Sequence, residues 1–579
     1  MPIYSKVAAR IAAFVIVFIA TIGAVVAQGA EARKLSYLIE KTGDTIPRYR
    51  ISVSFKGDAD GITEIELPNE WGGQEQLYKA VKGLHSITSD TELNASAQPH
   101  IFSVTHRPNS EITLQYFLEQ DFSGPLKNSN RYRPVVERDY IHWIGATVWV
   151  RPMMKDADAL DVTFDWKGFS SGWAFANSYG TRSRKQKVRF LAEELGRSIT
   201  VAGDFRLTPV NIGKNRIIVA IRGKWSFPDT ELAAMIRKVI ASEREFWNDH
   251  SQKYYLVTLV PIDEGPNAFS FGGTGLLDSF ALFATPNAEV ARLRGLLAHE
   301  YFHNWNPVRI GKMPEPEQQL YWLSEGFTDF YTYELLARSK LISVDEYVNE
   351  VNQRIREYYM LPTRCEPNAV IIRDFWKDRD VGRLPYLRGM LFALNLNAMI
   401  KTATSGRHSL DDVMRELYNR SKVRKIVLSA EVLSEAVGKF TDQETGSRVL
   451  AEIRAQMIDG ALVTPHALAL DGKARLETVP LAIWEAGFDV DALLGTRLIT
   501  GVKPGTAAYN SGLRDGQKLV GGISIYFGDT EKEIELKVAE GSDEKLIKFL
   551  PVAPERLPVP QFIRQKTDPA VPFASTRRL

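Results

Sequence analysis

The eleven residues Leu296–Asn306, which read LLAHEYFHNWN, restrict this chain more than any other stretch. His299 and His303 are four positions apart, and Glu300 follows the first histidine directly. On an α-helix, positions i and i+4 lie on one face, one turn apart. Two imidazoles placed in this way can bind one zinc ion, and the carboxylate beside them can take a proton from water. The stretch therefore predicts a buried helix that carries a hydrolytic zinc site.

Such a site needs a third ligand, for which Glu325 is the candidate. Glu325 lies in the sequence WLSEGF, early in a helix that is predicted from about residue 320 to residue 339. Two histidines and one glutamate leave a fourth position for water, as in catalytic rather than structural zinc sites. The alternative is a surface glutamate on an amphipathic helix, which the motif upstream disfavours. Asp329, one turn further on, is expected to hold the far ring nitrogen of a histidine ligand.

The length and charge of the chain limit its architecture and its partners. A chain of 579 residues is too long for one ordinary core, so two to four domains are expected. Hydrophobic residues make up 44% and charged residues 25%, which is an ordinary globular composition. The formal net charge of +2 gives no reason to propose nucleic acid or a membrane surface as a partner.

Residues 1–32 have the order of a secretory signal peptide. Lys6 and Arg10 precede an apolar run over residues 11–26, and small residues follow it. The alternative is a retained membrane anchor, although an apolar run of about 16 residues is short for a membrane span. Cys365 is the only cysteine, so no intrachain disulfide can form. We expect a periplasmic or secreted protein, with a membrane anchor as the less favoured alternative.

The pattern along the mature chain changes three times, and each change is interpreted as a domain boundary. Residues 33–225 alternate apolar and polar positions and predict a β-rich domain. Residues 226–475 begin with an amphipathic helix and a strand, contain the motif helix, and continue as a mostly helical region. Residues 476–553 return to short strands and turns, and the Pro-rich tail 554–579 is expected to be loosely ordered.

At this point the residues carry a resemblance to a known family. HEYFHNWNPVRI followed by LYWLSEGFTDFY is similar to the glycyl aminopeptidase family of gluzincin zinc metallopeptidases, and Trp305, Asn306 and Arg309 fit this family too. The resemblance implies a multidomain α+β fold. Its parts would be an N-terminal all-β domain, a thermolysin-like zinc catalytic domain with a helical part, and a C-terminal PDZ-like domain. It also implies one Zn²⁺ per chain and peptide or protein substrates.

The resemblance further implies a tyrosine that stabilises the oxyanion of the reaction. The family has this tyrosine in a Y-x-K-G pattern, and the chain has Tyr386, Leu387, Arg388 and Gly389. Tyr386 is therefore assigned as the oxyanion donor, with Tyr358 and Tyr359 as weaker candidates. The alternative for each of them is a buried tyrosine of the core.

One part of the family pattern is missing. Before the motif helix, the family has G-G-x-E-H, whose backbone pairs with the substrate and whose glutamate receives the free α-amine. The corresponding residues here are Gly272, Gly273, Thr274 and Gly275, so glycine replaces the glutamate. These four residues are still predicted to align a peptide through main-chain hydrogen bonds. Asp278 and Glu264 are the nearby carboxylates that could replace the amine anchor.

The C-terminal segment 495–522 resembles a bacterial PDZ domain in its Pro504–Gly505, Ser511–Gly512–Leu513 and Asp515–Gly516 pieces. Such a domain would bind the carboxyl end of a peptide. Together these features predict an exported zinc metallopeptidase, with aminopeptidase activity implied by the family. Two alternatives stay open: a zinc endopeptidase of altered specificity, and a non-catalytic peptide-binding protein.

Overall fold

The computed structural model describes residues 32–564, except residues 44, 182, 266–267, 527 and 542. Nearly all of the segment interpreted as a signal peptide therefore lies outside the described residues. Contacts divide the described chain into two compact units, residues 32–309 and residues 310–564. Within the described ranges, none of the helices has the length and apolar character that crossing a membrane requires.

The first unit consists mainly of β-strands, as the alternating pattern predicts. Their bounds are β1 Arg33–Lys41, β2 Arg48–Lys56, β3 Ile62–Glu66, β4 Val81–Ser86, β5 Glu92–Ala95, β6 Ile101–Thr105, β7 Glu111–Glu119, β8 Val135–Val136, β9 Tyr140–Ile144, β10 Arg151–Pro152, β11 Ala159–Lys167, β12 Ala174–Asn177, β13 Lys185–Leu191, β14 Ile199–Gly203, β15 Arg206–Ile212, β16 Asn215–Ile221, β17 Tyr254–Pro261, β18 Phe271–Leu276 and β19 Ser279–Ala284.

These strands form one six-stranded, two four-stranded and one five-stranded sheet. The six-stranded sheet has the order β13-β11-β1-β2-β7-β4, and the four-stranded sheets are β10-β3-β6-β5 and β12-β14-β9-β8. Strand β7 shows why they form, since alternate residues of EITLQYFLE are buried. Tyr37, Val104 and Ile141, each from a different sheet, meet in one hydrophobic core.

The five-stranded sheet has the order β15-β16-β17-β19-β18 and positions the site. The glycine-rich segment before the motif helix forms the antiparallel hairpin β18–β19 of this sheet. The chain reverses at Leu277 and Asp278, where Asp278 has φ +43°. Asp tolerates this left-handed region better than most residues, which permits the tight turn. Strand β18 is left at the edge of the sheet.

The α-helices in the described part of this unit are α1 Ala192–Gly196, α2 Asp229–Trp247 and α3 Val290–Phe302. Helix α2 has Asp229 and Glu231 in its first turn and ends at Asn248 in the left-handed conformation. Its Trp247 packs against Phe302 and stacks on Trp305, with ring centroids 5.3 and 5.9 Å apart. The motif helix α3 is therefore held from behind by α2.

The second unit begins as a set of helices, as predicted. Ser343 and Glu346 form a capping box at the start of the helix that begins at Val344. The helices are α4 Tyr321–Arg338, α5 Val344–Met360, α6 Asn368–Asp374, α7 Arg379–Ala403, α8 Leu410–Val423, α9 Ala430–Phe440 and α10 Gln443–Glu452, which continues as a π-helical turn over Ile453–Ile458.

The C-terminal part returns to strands around a small separate core. It contains β20 Arg475–Trp484, α11 Val490–Thr496, α12 Ala507–Asn510, β21 Lys518–Ser524, β22 Ile534–Glu540, β23 Asp543–Phe549 and β24 Val552–Ile563. Strands β21, β22 and β23 form one sheet, and β20 pairs with β24. Leu493, Leu513 and Leu536 lie in their common core.

The expectation of a loosely ordered tail is wrong for residues 554–563. These residues belong to β24, which pairs with β20 along nearly its whole length despite Pro554, Pro558 and Pro560. Proline is tolerated there because each strand of a two-stranded sheet has a free edge, where no N–H is needed. Residues 565–579 lie outside the described chain. The multidomain α+β class, with a β-rich N-terminal part and a helical C-terminal part, is confirmed.

Candidate metal centre

The two motif histidines lie at the C-terminal end of α3 and point at each other. His299 is in the last turn of the helix, and His303 directly follows Phe302 with helical backbone angles. Their Nε2 atoms are 3.1 Å apart. The far nitrogen of His303, Nδ1, donates to the carbonyl oxygen of Asn306 at 2.7 Å. This bond places the proton of His303 on Nδ1 and leaves the Nε2 lone pair facing His299.

The separation of these two nitrogen atoms fits a shared cation. Two lone pairs that face each other repel unless a proton or a metal ion lies between them. Two nitrogen ligands of tetrahedral zinc, each about 2.05 Å from the ion, would lie about 3.3 Å apart. The observed 3.1 Å between the Nε2 atoms agrees with this value.

Glu325 completes the group that the sequence predicted. One ligand atom each from His299, His303 and Glu325 lies within 4.8 Å of the others, and in the described part of the chain no other group of this kind is found. Glu325 is fully buried, in the second turn of α4. A buried carboxylate is costly unless a cation or hydrogen bonds compensate it. The donor set and its burial fit a zinc ion.

Glu317, which sequence reasoning did not single out, lies near this carboxylate. Burial raises the pKa of Glu317 to about 7, and the negative charges of Glu315 and Glu325 act in the same direction. Like charges that come this close favour a compensating cation. The sequence offered no signal for Glu317, because Glu315 and Glu317 read as an ordinary exposed acidic loop.

Glu300 lies next to the edge strand. Glu300 is 4% exposed, and its Oε2 accepts a hydrogen bond from the backbone N–H of Gly275 at 3.1 Å. A Cβ on Gly275 would stand 3.5 Å from this oxygen, which is ordinary contact. Glycine is therefore not required at position 275 by space, and its φ is not in the left-handed region. The carboxylate is held beside the strand that the sequence assigned to substrate binding.

The other residues of this strand are contacted from the N-terminal β region. The hydroxyl of Tyr132 donates to the carbonyl oxygen of Gly273 at 2.7 Å. A Cβ on Gly272 would lie 3.2 Å from the guanidinium carbon of Arg131, so the guanidinium packs directly on the glycine. Thr274 is buried in the same strand. Nothing in the sequence indicated Tyr132 or Arg131, since more than 130 residues separate them from β18.

The two carboxylates considered as replacement amine anchors are both hydrogen bonded. Asp278, at the turn of the hairpin, accepts from the Gln252 side chain at 2.8 Å. Glu264 is exposed and accepts from the backbone N–H of Asn128. Asp278 lies at the tip of the β18–β19 hairpin. A role for either residue in binding an amine stays a prediction.

Asp329 is buried in α4, and its carboxylate lies 3.9 Å from Nε of Arg354. Nδ1 of His303 is already hydrogen bonded to the Asn306 carbonyl oxygen. If Asp329 contacts the far nitrogen of a histidine ligand as predicted, that histidine is therefore His299. That contact stays a prediction.

Tyr386 is half-buried in α7, whose first turn is capped by the side chain of Asp378. Arg388 is fully buried and donates to the carbonyl oxygens of Glu366 and Met457 at 2.7 and 3.0 Å. The arginine of the YLRG sequence therefore anchors α7. Of the weaker candidates, Tyr358 uses its hydroxyl to accept from the N–H of Val463 at 3.1 Å, as expected of a core tyrosine.

A buried network behind α3 was also missed. Asp249 accepts from Trp305 Nε1 at 2.9 Å and from Arg309 at 2.8 Å, which explains why the tryptophan and arginine accompany the motif. Glu243 of α2 is 1% exposed, and one carboxylate oxygen has no hydrogen-bond partner among the described residues. Burial raises the pKa of Glu243 well above its ordinary value, and the proximity of His299 opposes this effect. The amphipathic pattern of α2 had hidden Glu243, and Asp249 lies just after the end of that helix.

Comparisons with known proteins agree with the motif. The family model of the M61 glycyl aminopeptidases matches residues 292–367, a segment that contains the HExxH motif and Glu325. No curated protein matches the sequence significantly. The resemblance to the glycyl aminopeptidase family that the sequence suggested is confirmed, and a PDZ domain is not shown.

Among solved structures, an aminopeptidase N family protein from Idiomarina loihiensis is similar over most of the chain. The likeness covers 90% of this chain and 96% of that protein, with 14% identity and a TM-score of 0.64. At this identity it shows a common fold. An M1 zinc metallopeptidase from Deinococcus radiodurans matches with 16% identity over 75% of this chain and 95% of its own, and its TM-score of 0.43 is too low to establish a fold.

Proposed function

We propose that this chain, a zinc metallopeptidase of the glycyl aminopeptidase family, is an exported enzyme that releases residues from the amino end of peptides. One observation carries the proposal: the ligand atoms of His299, His303 and Glu325 converge, and Glu300 is held beside the edge strand β18. Metal-dependent peptide hydrolysis uses this combination of a Lewis acid, a base and a main-chain template.

His299 and His303 would bind the ion through Nε2, and Glu325 would bind it through a carboxylate oxygen. One zinc ion per chain would polarise the scissile carbonyl and lower the pKa of a water molecule when bound. The hydrogen bond from His303 to the Asn306 carbonyl orients that ring and fixes its tautomer. Asp329 is proposed to do the same for His299.

Glu300 would act as the general base and then as the general acid. It accepts a proton from the attacking water and passes it to the nitrogen of the leaving amine. The N–H of Gly275 keeps this carboxylate at the edge of the strand, where a substrate carbonyl would lie. Tyr386 would donate a hydrogen bond to the oxyanion as charge develops on the substrate oxygen.

Residues Gly272–Gly275 would align the substrate as an additional strand. Strand β18 ends the order of its sheet, so one of its sides is not paired with a neighbouring strand. A peptide can bind to such an edge by main-chain hydrogen bonds without a specific side chain. This mode of binding supports hydrolysis of peptides with varied sequences.

A second candidate function is that of an endopeptidase. Its specific support is Gly275, which provides no carboxylate for a free α-amine. A zinc-bearing protein that binds peptides without cleaving them is the remaining alternative. The ends of the products from a mixed peptide library, with bound zinc measured on the same sample, separate the three. Single released N-terminal residues support the aminopeptidase, internal cuts support the endopeptidase, and intact peptides with stoichiometric zinc contradict both.

The other domains are proposed to serve delivery and binding. Residues 1–32 would direct export to the periplasm or the cell exterior, and cleavage in the region of residues 27–32 can be checked by N-terminal sequencing of the exported protein. Residues 33–225 and 226–475 would be the β-rich and thermolysin-like catalytic domains. Residues 476–553 would be a PDZ-like domain that binds a peptide carboxyl end, which binding of a C-terminal peptide library with and without terminal amidation tests.

A further inference from the structure

Gln252 joins the hairpin β18–β19 to the motif helix α3 through its side-chain amide. It lies in the loop between α2 and β17 and is 7% exposed. Its Nε2 donates to the Asp278 carboxylate at 2.8 Å and to the side-chain oxygen of Asn304 at 3.2 Å. Its Oε1 accepts from the Tyr301 hydroxyl at 2.8 Å and from Arg244 at 3.0 Å. All four hydrogen-bonding positions of the amide are therefore used.

The partners of Gln252 determine the orientation of its amide. Arg244 can only donate and the Asp278 carboxylate can only accept, so Oε1 must face the arginine and Nε2 the aspartate. Arg244 also donates through Nε to the Tyr301 hydroxyl at 2.7 Å, which leaves the proton of that hydroxyl for Gln252. Arg244 and Tyr301 are fully buried, where a hydrogen bond that is not made is costly. The network therefore has a single arrangement of donors and acceptors.

The two ends of this network reach two parts of the proposed site. Asp278 lies at the tip of the hairpin, two residues after the end of β18. Tyr301 directly follows Glu300, and Asn304 directly follows His303. Ladder hydrogen bonds between β17 and β19 and between β19 and β18 hold the hairpin in its sheet, but they do not fix the sheet against the helix. Gln252 links the strand that is proposed to align the substrate with the helix that carries the proposed base.

A second hydrogen bond joins the same strand and helix. The Gly275 N–H of β18 donates to the Glu300 carboxylate at 3.1 Å. Hydrogen bonds of this kind tolerate little change in distance or angle, so this bond and those of Gln252 require the same separation of strand and helix. A displacement of about 1 Å between a bound substrate and a catalytic group can lower a rate by about 100-fold.

We propose that Gln252 is a positioning residue of the peptidase, which holds the substrate-binding edge of β18 at the distance from Glu300 that hydrolysis needs. It acts through Asp278 on the hairpin and through Tyr301 and Asn304 beside the proposed catalytic groups. A displaced β18 still binds peptides, because its unpaired edge consists of its own backbone groups. Loss of the link therefore lowers kcat and leaves KM nearly unchanged. This inference rests on the proposed function.

The test compares Gln252→Glu with the wild type, both as zinc-loaded full-length protein. The glutamate keeps an acceptor for Arg244 and Tyr301, but it replaces the donor with an oxygen that repels the Asp278 carboxylate. With rates normalised to zinc content, kcat falls by about tenfold or more and KM changes by less than about threefold. Adding Asp278→Asn places a donor opposite the new carboxylate, so the double variant recovers kcat by about fivefold or more.

Gln186→Glu is the matched control. Gln186 is also 7% exposed, its Nε2 donates to Oδ1 of Asn177 at 3.0 Å, and its Oε1 accepts from Asn177 at 2.7 Å. The same substitution breaks the same kind of buried hydrogen bond there, so it lowers the melting temperature and leaves kcat and KM unchanged. If the glutamate at position 252 prevents folding, Gln252→Met removes the same links without adding a charge and is measured in its place.

Hydrogen exchange of the same proteins, followed by mass spectrometry, gives a readout that does not depend on hydrolysis. In Gln252→Glu, exchange at residues 271–278 rises by about fivefold or more, and exchange in the six-stranded sheet stays unchanged. Unchanged kcat or unchanged exchange at these residues overturns the proposal, and so does an equal loss of kcat in Gln186→Glu. If the wild type hydrolyses no peptide, the proposed function fails, and the exchange at residues 271–278 still decides whether Gln252 holds the hairpin.

Discussion

Gly326 and Gly389 touch backbone to backbone: a Cβ on Gly326 would stand 2.3 Å from the Cα of Gly389. Gly326 follows the metal-ligand candidate Glu325 in α4, and Gly389 lies three residues after Tyr386 in α7. The absence of both side chains lets the two helices approach closely. This contact sets the distance between the helix that carries the ligand and the helix that carries the tyrosine.

Gly389→Ala is expected to reduce both stability and turnover. The added methyl group would lie 2.1 Å from the Trp322 carbonyl oxygen, so a helix must move. Overpacking of this kind costs about 1–3 kcal/mol, which thermal unfolding measures. Gly438→Ala is the control, because its nearest neighbour is 3.9 Å away and the residue is also helical. Equal stability of the two variants would contradict the close contact.

Glu300→Gln is expected to lower kcat by about 100-fold or more, the usual contribution of a general base. Amide and carboxylate have nearly the same shape, so zinc content should not change. Metal analysis and steady-state kinetics of the same preparation check both statements. Glu289→Gln, an exposed position directly before α3, serves as the control. Full activity of Glu300→Gln with stoichiometric zinc would exclude the assigned role.

Glu325→Gln is expected to lose bound zinc. A neutral amide oxygen is a much weaker zinc ligand than a carboxylate. Zinc retained after dialysis against a chelator of moderate affinity is the measurement, with Glu289→Gln, at an exposed position before α3, as the control. If Glu325→Gln retains zinc as well as the wild type does, the ligand assignment is wrong.

Tyr386→Phe is expected to lower kcat by about 100-fold, with KM nearly unchanged, because the hydroxyl acts on charge that develops only in the transition state. Tyr358→Phe is the comparison, since its hydroxyl binds a backbone N–H. That variant should mainly lower the melting temperature. A larger loss of kcat in Tyr358→Phe than in Tyr386→Phe would reverse the assignment.

His142 is expected to destabilise the fold at low pH. Burial lowers the pKa of His142 to about 3, and its ring lies 3.2 Å from Thr258 Oγ1 and against Phe283. The unfolded chain binds this proton near its ordinary pKa of about 6.5, so stability falls as the pH drops from that value towards 3, by about 1.4 kcal/mol per pH unit.

Urea unfolding at pH 7.5 and pH 4.5 measures this effect. His142→Gln should lose about 2–3 kcal/mol less stability over this interval than the wild type. His85→Gln, at an exposed position, should lose as much as the wild type. An equal loss in all three proteins would show that His142 does not carry the pH dependence.

Much of the candidate metal centre was predicted from local sequence patterns. His299, Glu300 and His303 share one helical turn, and a spacing of four needs no tertiary information. Glu325 stood in a recognisable sequence at the start of the next predicted helix. Helix α2 and the alternating strands were likewise predicted, because burial of one face imposes its period on the sequence.

The sequence alone determined which groups are candidates for the chemistry: two imidazoles, two carboxylates and a tyrosine in contexts typical of zinc peptidases. Tertiary structure decided what surrounds them. The Tyr132 hydroxyl reaches Gly273 across 141 positions, and the contacts of Gly326 with Gly389 and of Glu300 with Gly275 also join residues far apart in the chain. Such contacts depend on the packing of whole sheets and helices, which no local period records. The edge strand and the side chains that contact it therefore became visible only in the folded chain.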